Sequence, residues 1–142
     1  MSNEQISLQL KQNSVQELQF KKSKDSFDND KGEFSLELAI GFPDDSESTE
    51  NNNHFAVTFK SEFQIKEGFI LKVEYQSIFE CDHSINEQFK RSRFPTVNAP
   101  AIAFPFFRAF IATFLTNAGF EPIILPSINF MELDRKNKSQ GE

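Results

Sequence analysis

Two places in the chain carry side chains that could do chemistry. The first is Glu80-Cys81-Asp82-His83-Ser84, where a thiol and an imidazole stand two residues apart. On a strand they would share a face, the spacing of a nucleophile beside its base or of two ligands to one metal ion. A nucleophile of this kind also needs a third group to orient the base, and a closed metal site needs about four ligands. With one cysteine and two histidines in the chain, His54 is the only further imidazole on offer. We read the segment as a strand end with small polar residues, and expect no catalytic residue, no metal and no cofactor. The five glycines occur singly, so no phosphate-cradling loop is expected either.

The second place is Arg108, the one charge in the 23 residues NAPAIAFPFFRAFIATFLTNAGF, Asn98–Phe120. The length suits a membrane span, but Pro100 and Pro105 near its start and a charge near its centre argue against one. In an apolar helix an unpaired guanidinium is untenable, so Arg108 is expected to pair with a carboxylate or to cap carbonyls. The chemistry on offer is therefore structural, and the elements around it must say what it serves.

Those elements read as strands followed by a helix. In EFSLELAIGF, Phe34, Leu36, Leu38, Ile40 and Phe42 alternate with polar or small residues, placing one apolar row on one sheet face. Pro43 stops the strand, and Asp44–Asn53 is an acidic polar loop. Phe55, Val57, Phe59, Phe63 and Ile65 alternate next; Lys66-Glu67-Gly68 reads as a tight turn; Leu71, Val73, Tyr75 and Phe79 then alternate again. That is an antiparallel hairpin. An N-terminal strand carries Ile6, Leu8, Leu10, Leu18 and Phe20 in phase, with Val15 on the other face and a bend or bulge expected near Asn13-Ser14. Asp82–Val97 reads as a loop or short turn. Asn98 suits an N-cap, the regular helix is expected from about Phe104 to Asn117, and Gly119 suits the residue just past its end. Pro122 and Pro126 hold the next stretch extended, and residues 132–142 read as a polar tail.

The composition, 18 Phe with one Tyr and no Trp, supplies apolar area without polar handles. A lone cysteine rules out an internal disulfide, and Met1–Leu10 has neither the basic region nor the apolar run of a secretory signal, so a cytosolic protein is expected. Lys and Arg number 15 against 21 Asp and Glu, so nucleic acid is not an expected partner. The helix is apolar nearly all round. Four strands cover one side only, which leaves Phe106, Phe107, Arg108, Phe110, Ile111 and Phe114 as the expected oligomer interface, with Arg108 a tether across it.

The stretch Ala103–Leu133 resembles the SecB family of export chaperones. The resemblance lies in Phe104-Pro105, Arg108, Gly119-Phe120 with Pro122, Leu125-Pro126 and Asn129-Phe130, in that order. It implies an α+β fold, a four-stranded antiparallel sheet packed against a long C-terminal helix, in a single domain over residues 1–142. Within it the sheet would occupy 1–83, the interface helix 98–119 and an extended arm 120–131. It further implies a homotetramer, a dimer of dimers, acting as an ATP-independent holdase for unfolded preproteins and passing them to the SecA motor. Two departures stand out. Only twelve residues follow Phe130, enough for about two helical turns, and they include Arg135, Lys136 and Lys138 where the family has an acidic tail. The outward sheet positions mix Glu17, Glu62, Glu67, Glu74 and Glu80 with Lys11, Lys60, Lys66 and Lys72, where SecA docking uses carboxylates. A chaperone dedicated to one client, such as an antitoxin, is the alternative. The client groove is expected where the strand row meets the arm: Leu38, Ile40, Phe42, Phe120, Ile123, Leu125, Ile128 and Phe130.

Overall fold

The alternating segments pair into one antiparallel sheet in the order β1-β4-β3-β2, formed by β1 (Leu8–Lys22), β2 (Phe34–Gly41), β3 (His54–Ile65) and β4 (Phe69–Cys81). The computed structural model describes residues 6–23, 34–43 and 53–140; the acidic loop read at Asp44–Asn53 lies outside them up to residue 52. β3 and β4 bury every odd-numbered side chain from Phe55 to Ile65 and from Leu71 to Cys81, so one face of the central hairpin is fully covered. Their turn, Lys66–Gly68, closes with Gly68 N–H donating to the Ile65 carbonyl at 2.9 Å, and Gly68 takes the positive φ of 89° that a three-residue hairpin loop needs.

β1 carries two irregularities in its register with β4, which step over Lys11 and Gln16. The first shifts the phase by one residue and the second restores it. Val15 therefore lies opposite Tyr75, on the same face as Leu10 and Leu18, and not on the other face as its position in the alternation predicts. Asn13 comes to face Ser77, whose buried hydroxyl donates to Asn13 Oδ1 at 2.6 Å.

The helical part begins earlier than expected. Asn86 caps α1 (Glu87–Arg91), its Oδ1 accepting from Phe89 N–H at 2.8 Å, and Phe89 is buried. A π-helical turn, Phe94–Asn98, then leads without a break into α2 (Ala99–Asn117). Asn98 is itself helical and makes no side-chain cap, because the chain is already turning when it arrives. Pro100 sits in the first turn, and Pro105 lies inside the helix on an exposed side, leaving the carbonyl of exposed Ala101 to water. Ala99, Ala103, Phe104, Phe107, Ile111 and Leu115 face the sheet and are buried. Gly119, at φ 95°, ends α2: its N–H donates to the Thr116 carbonyl at 3.1 Å, and Phe120 N–H donates to Leu115 at 2.9 Å. That pair of bonds is a Schellman ending, as the position of Gly119 predicts.

Beyond the arm the expected polar tail is a third helix, α3 (Phe130–Gln140), eleven residues in place of about two turns. Asn129 caps it, with Oδ1 accepting from Glu132 N–H at 3.1 Å, and Asp134 pairs with Lys138 at 3.1 Å on the following turn.

Candidate functional site

The arm is held by two anchors. Phe130 packs against Phe104, with ring centroids 5.6 Å apart, and against Phe59 at 6.1 Å; it is buried, as is Leu125. These two belong to the core and do not line an open groove, which corrects their assignment from sequence. The other six expected groove residues, Leu38, Ile40, Phe42, Phe120, Ile123 and Ile128, are half-buried at the edge of that core.

They do not form one pocket. Phe42 packs on Phe55 at 6.1 Å, with the Lys90 ammonium 5.6 Å over its ring, at the end of the sheet where β3 begins. Phe120 packs edge-on against Phe20 at 5.2 Å and Phe69 at 5.0 Å, at the opposite end, where Phe69 pairs with Ile65. From Phe55 to Ile65 the strand rises ~33 Å at about 3.3 Å per residue. The half-buried apolar side chains are thus strung along the sheet, a length that suits an extended chain. Ile123 borders a hollow of about 130 Å³ beside Ile65 and Lys66.

Four residues of this surface lie outside the groove expected from sequence. Phe34 and Leu36 continue the row of Leu38 and are equally half-buried. The same alternation contained them. Phe20 joins the Phe120 cluster from β1, stacked on Phe69 at 5.0 Å. Ile124 is 80% exposed, on the opposite side of the extended arm from Ile123 and Leu125. A period of two would have found it.

The expected interface residues divide the same way. Phe107 and Ile111 are fully buried against this chain's own sheet, Phe107 packing on Phe59 at 5.4 Å, so they are core and not interface. Phe110 and Phe114 are half-buried, stacked on Tyr75 at 5.6 Å and edge-on to Phe20 at 5.4 Å respectively. Phe106 is 49% and Ile102 41% exposed on the far side of α2. Arg108 is half-buried and has no hydrogen-bond or ion-pair partner among the described residues. The segment Phe94–Asn117 is long and apolar enough to cross a membrane by length and composition, with its sheet-facing side occupied as above.

The thiol–imidazole pair is not assembled. Cys81 points into the core, where burial first, and then Asp82 and Glu80, push its thiol up to about 11. His83 lies past the strand end, exposed, with Nδ1 2.8 Å from the Asp82 carbonyl. The outer sheet face is polar, and an open hollow of about 280 Å³ there is lined by Glu17, Glu37, Glu62 and Glu74 together with Lys60 and Lys72. Lys60 pairs with Glu74 at 3.4 Å, so the mixture of charges expected on this face is present.

Residues 1–141 match the family described as SecB, preprotein translocase subunit SecB. Among curated proteins, the chain is 39% identical over 64 residues to the protein-export protein SecB of Neorickettsia sennetsu, covering 45% of this chain and 38% of that one. To the protein-export protein SecB of Roseobacter denitrificans it is 25% identical over 111 residues, covering 75% and 66%. The chain thus aligns with less than two thirds of the length of these relatives. The fold is similar to that of a SecB-like chaperone of Mycobacterium tuberculosis, solved with a ChAD peptide from the HigA1 antitoxin. The TM-score is 0.62 at 10% identity, over 85% of this chain and 89% of that one. A Streptococcus agalactiae protein of unknown function is similar at TM-score 0.55 and 12% identity, over 87% and 99%. Family match, strand order and the Phe104–Phe130 features agree: the chain belongs to the SecB family.

Proposed function

We propose that the protein is a cytoplasmic, ATP-independent holdase that binds unfolded precursor proteins and keeps them competent for export. The observation that carries this reading is the string of half-buried apolar side chains, Phe34, Leu36, Leu38 and Ile40 on β2, Phe42 just beyond it, and Phe120, Ile123 and Ile128 on the arm, spread along the length of β3. A site that must accept many sequences needs adaptable apolar area more than a fixed polar pocket, and Phe, Leu and Ile supply it. Many weak contacts along an extended chain sum to useful affinity without nucleotide. The net charge of −6 keeps such a surface soluble and favours clients with basic flanks.

The working unit in this reading is a homotetramer. Ile102, Phe106, Phe110 and Phe114 leave α2 apolar on the sides away from its sheet, and burial of each large side chain is worth about 1.5–3 kcal/mol. Arg108 then finds its carboxylate or carbonyl partner across the subunit contact. Purified protein is expected to suppress aggregation of a chemically denatured client, followed by light scattering, at stoichiometric ratio and without ATP. Unabated aggregation would sink the proposal.

The outer face favours a second reading. Lys60 and Lys72 interrupt the carboxylates of β1–β4, which weakens the case for SecA docking there and strengthens that for a chaperone dedicated to one client. Affinity capture separates the two. A single stoichiometric partner supports the dedicated chaperone, and a spread of precursors together with SecA supports general export.

A further inference from the structure

Guanidinium groups are unevenly placed in this chain. It has four arginines, and three of them, Arg91, Arg93 and Arg135, lie where the helical segments meet. Arg91 ends α1, Arg93 flanks the start of the π-helical turn, and α3, which carries Arg135, packs against that turn. Phe130 and Leu133 seat α3 on the core, and Arg135 lies on a side turned to water. Arg91 and Arg93 are exposed as well.

The lysines nearby are already engaged. Lys90 pairs with Glu87 at 3.5 Å and Lys138 with Asp134 at 3.1 Å. Arg91, Arg93 and Arg135 have no hydrogen-bond or ion-pair partner among the described residues. A guanidinium is a rigid fork of donors that matches a carboxylate with two parallel hydrogen bonds. Three unengaged forks on neighbouring elements suit a group of carboxylates.

The surroundings limit what can carry those carboxylates. The chain as a whole has a net charge of −6, so a long polyanion or a charged bilayer meets repulsion beyond the patch. A bilayer also finds little to hold: Phe130 is buried and Leu133 half-buried, which leaves Met131 as the one exposed apolar side chain of α3. For a nucleic-acid base, the ring next to Arg93 is taken, since Phe94 stacks on Phe89 at 6.0 Å with the rings 2° from parallel. A short acidic stretch of polypeptide meets none of these obstacles.

We propose that Arg91, Arg93 and Arg135 form a docking surface for a short segment of a partner protein, rich in Asp or Glu. The site uses none of the apolar residues of the client-binding reading and does not depend on it.

The test uses the full-length protein and a labelled peptide of about twelve residues, ~40 Å when extended, alternating Glu with Ser. It has no apolar side chain, so the apolar row cannot hold it. By fluorescence anisotropy at low ionic strength, Arg91→Gln, Arg93→Gln and Arg135→Gln are each expected to weaken binding about two- to fivefold, and the triple variant to abolish it. Lysine at all three positions keeps the charge without the fork and should restore only part of the affinity. Lys66→Gln removes the same charge from the β3–β4 turn and should leave binding within about twofold. An equal loss from Lys66→Gln would mean that only net charge is sensed, which overturns the site. So would a failure of the peptide to bind, or tighter binding through the same arginines to anionic phospholipid vesicles or to single-stranded RNA. The triple variant is expected to keep its assembly mass by multi-angle light scattering and its suppression of client aggregation. A changed mass would assign the arginines to a contact between copies, and lost suppression would assign them to the client site; either result refutes a separate docking surface.

Discussion

Adjacent residues of the same chemistry end up with opposite roles here. Phe106 and Phe107 are consecutive phenylalanines, yet one is 49% exposed and the other fully buried. A helix turns about 100° per residue, so the two diverge by more than a quarter turn. Apolar side chains all round α2 hide that phase, which is why sequence alone could assign both to an interface. Cys81 shows the same dependence on place. Burial first, then Asp82 and Glu80, raise its thiol from an ordinary value of 9.0 to about 11. The unfolded chain releases this proton first as pH rises, so the folded form loses stability between about 9 and 11 and keeps its full contribution below. Urea midpoints are expected to fall across that window in the wild type and to stay flatter in Cys81→Ala. At pH 8 the native thiol should resist alkylation until the protein unfolds.

At the scale of elements, legibility followed periodicity. β2, β3 and β4 were readable because a period of two survives intact along each. β1 was misread at Val15 because its bulge residues, Lys11 and Gln16, are polar like the outward positions they imitate. α2 starts at Ala99, in keeping with a helix over 98–119, but it is regular from there and not only from Phe104: the π-helical turn already winds the chain ahead of Pro100, and Pro105 sits on an exposed side above the carbonyl of exposed Ala101. α3 runs longer than the two turns expected: it has almost no apolar stripe to mark its length, and its start is set by the Asn129 cap. Asn129→Ala is expected to cost about 1 kcal/mol. The loss should be local: hydrogen exchange should quicken over Met131–Arg135 while strand amides keep their protection. An equal loss throughout the sheet would show that α3 is not a separate, capped unit.

For the molecule as a whole, the family and the sheet-plus-helix layout were legible, and the division of α2 between a buried and an exposed side was not. Phe106→Glu tests that surface without touching the core. The variant is expected to keep its circular dichroism spectrum and to lose assembly mass by multi-angle light scattering. Arg108→Leu should weaken assembly if the guanidinium is a tether, and an unchanged mass would refute that role.

The register of β1 has a consequence for how the chain comes into being. β3 and β4 are joined by three residues, whereas Leu8 must meet Cys81 across most of the sheet's sequence. Closing the larger loop costs more conformational entropy, so β1 is the strand expected to join last. A growing chain therefore passes through a stage in which the central hairpin has formed, α2 is not yet made, and its Phe-lined face stands bare. For that interval the nascent protein presents the kind of surface it is built, in this reading, to bind in others.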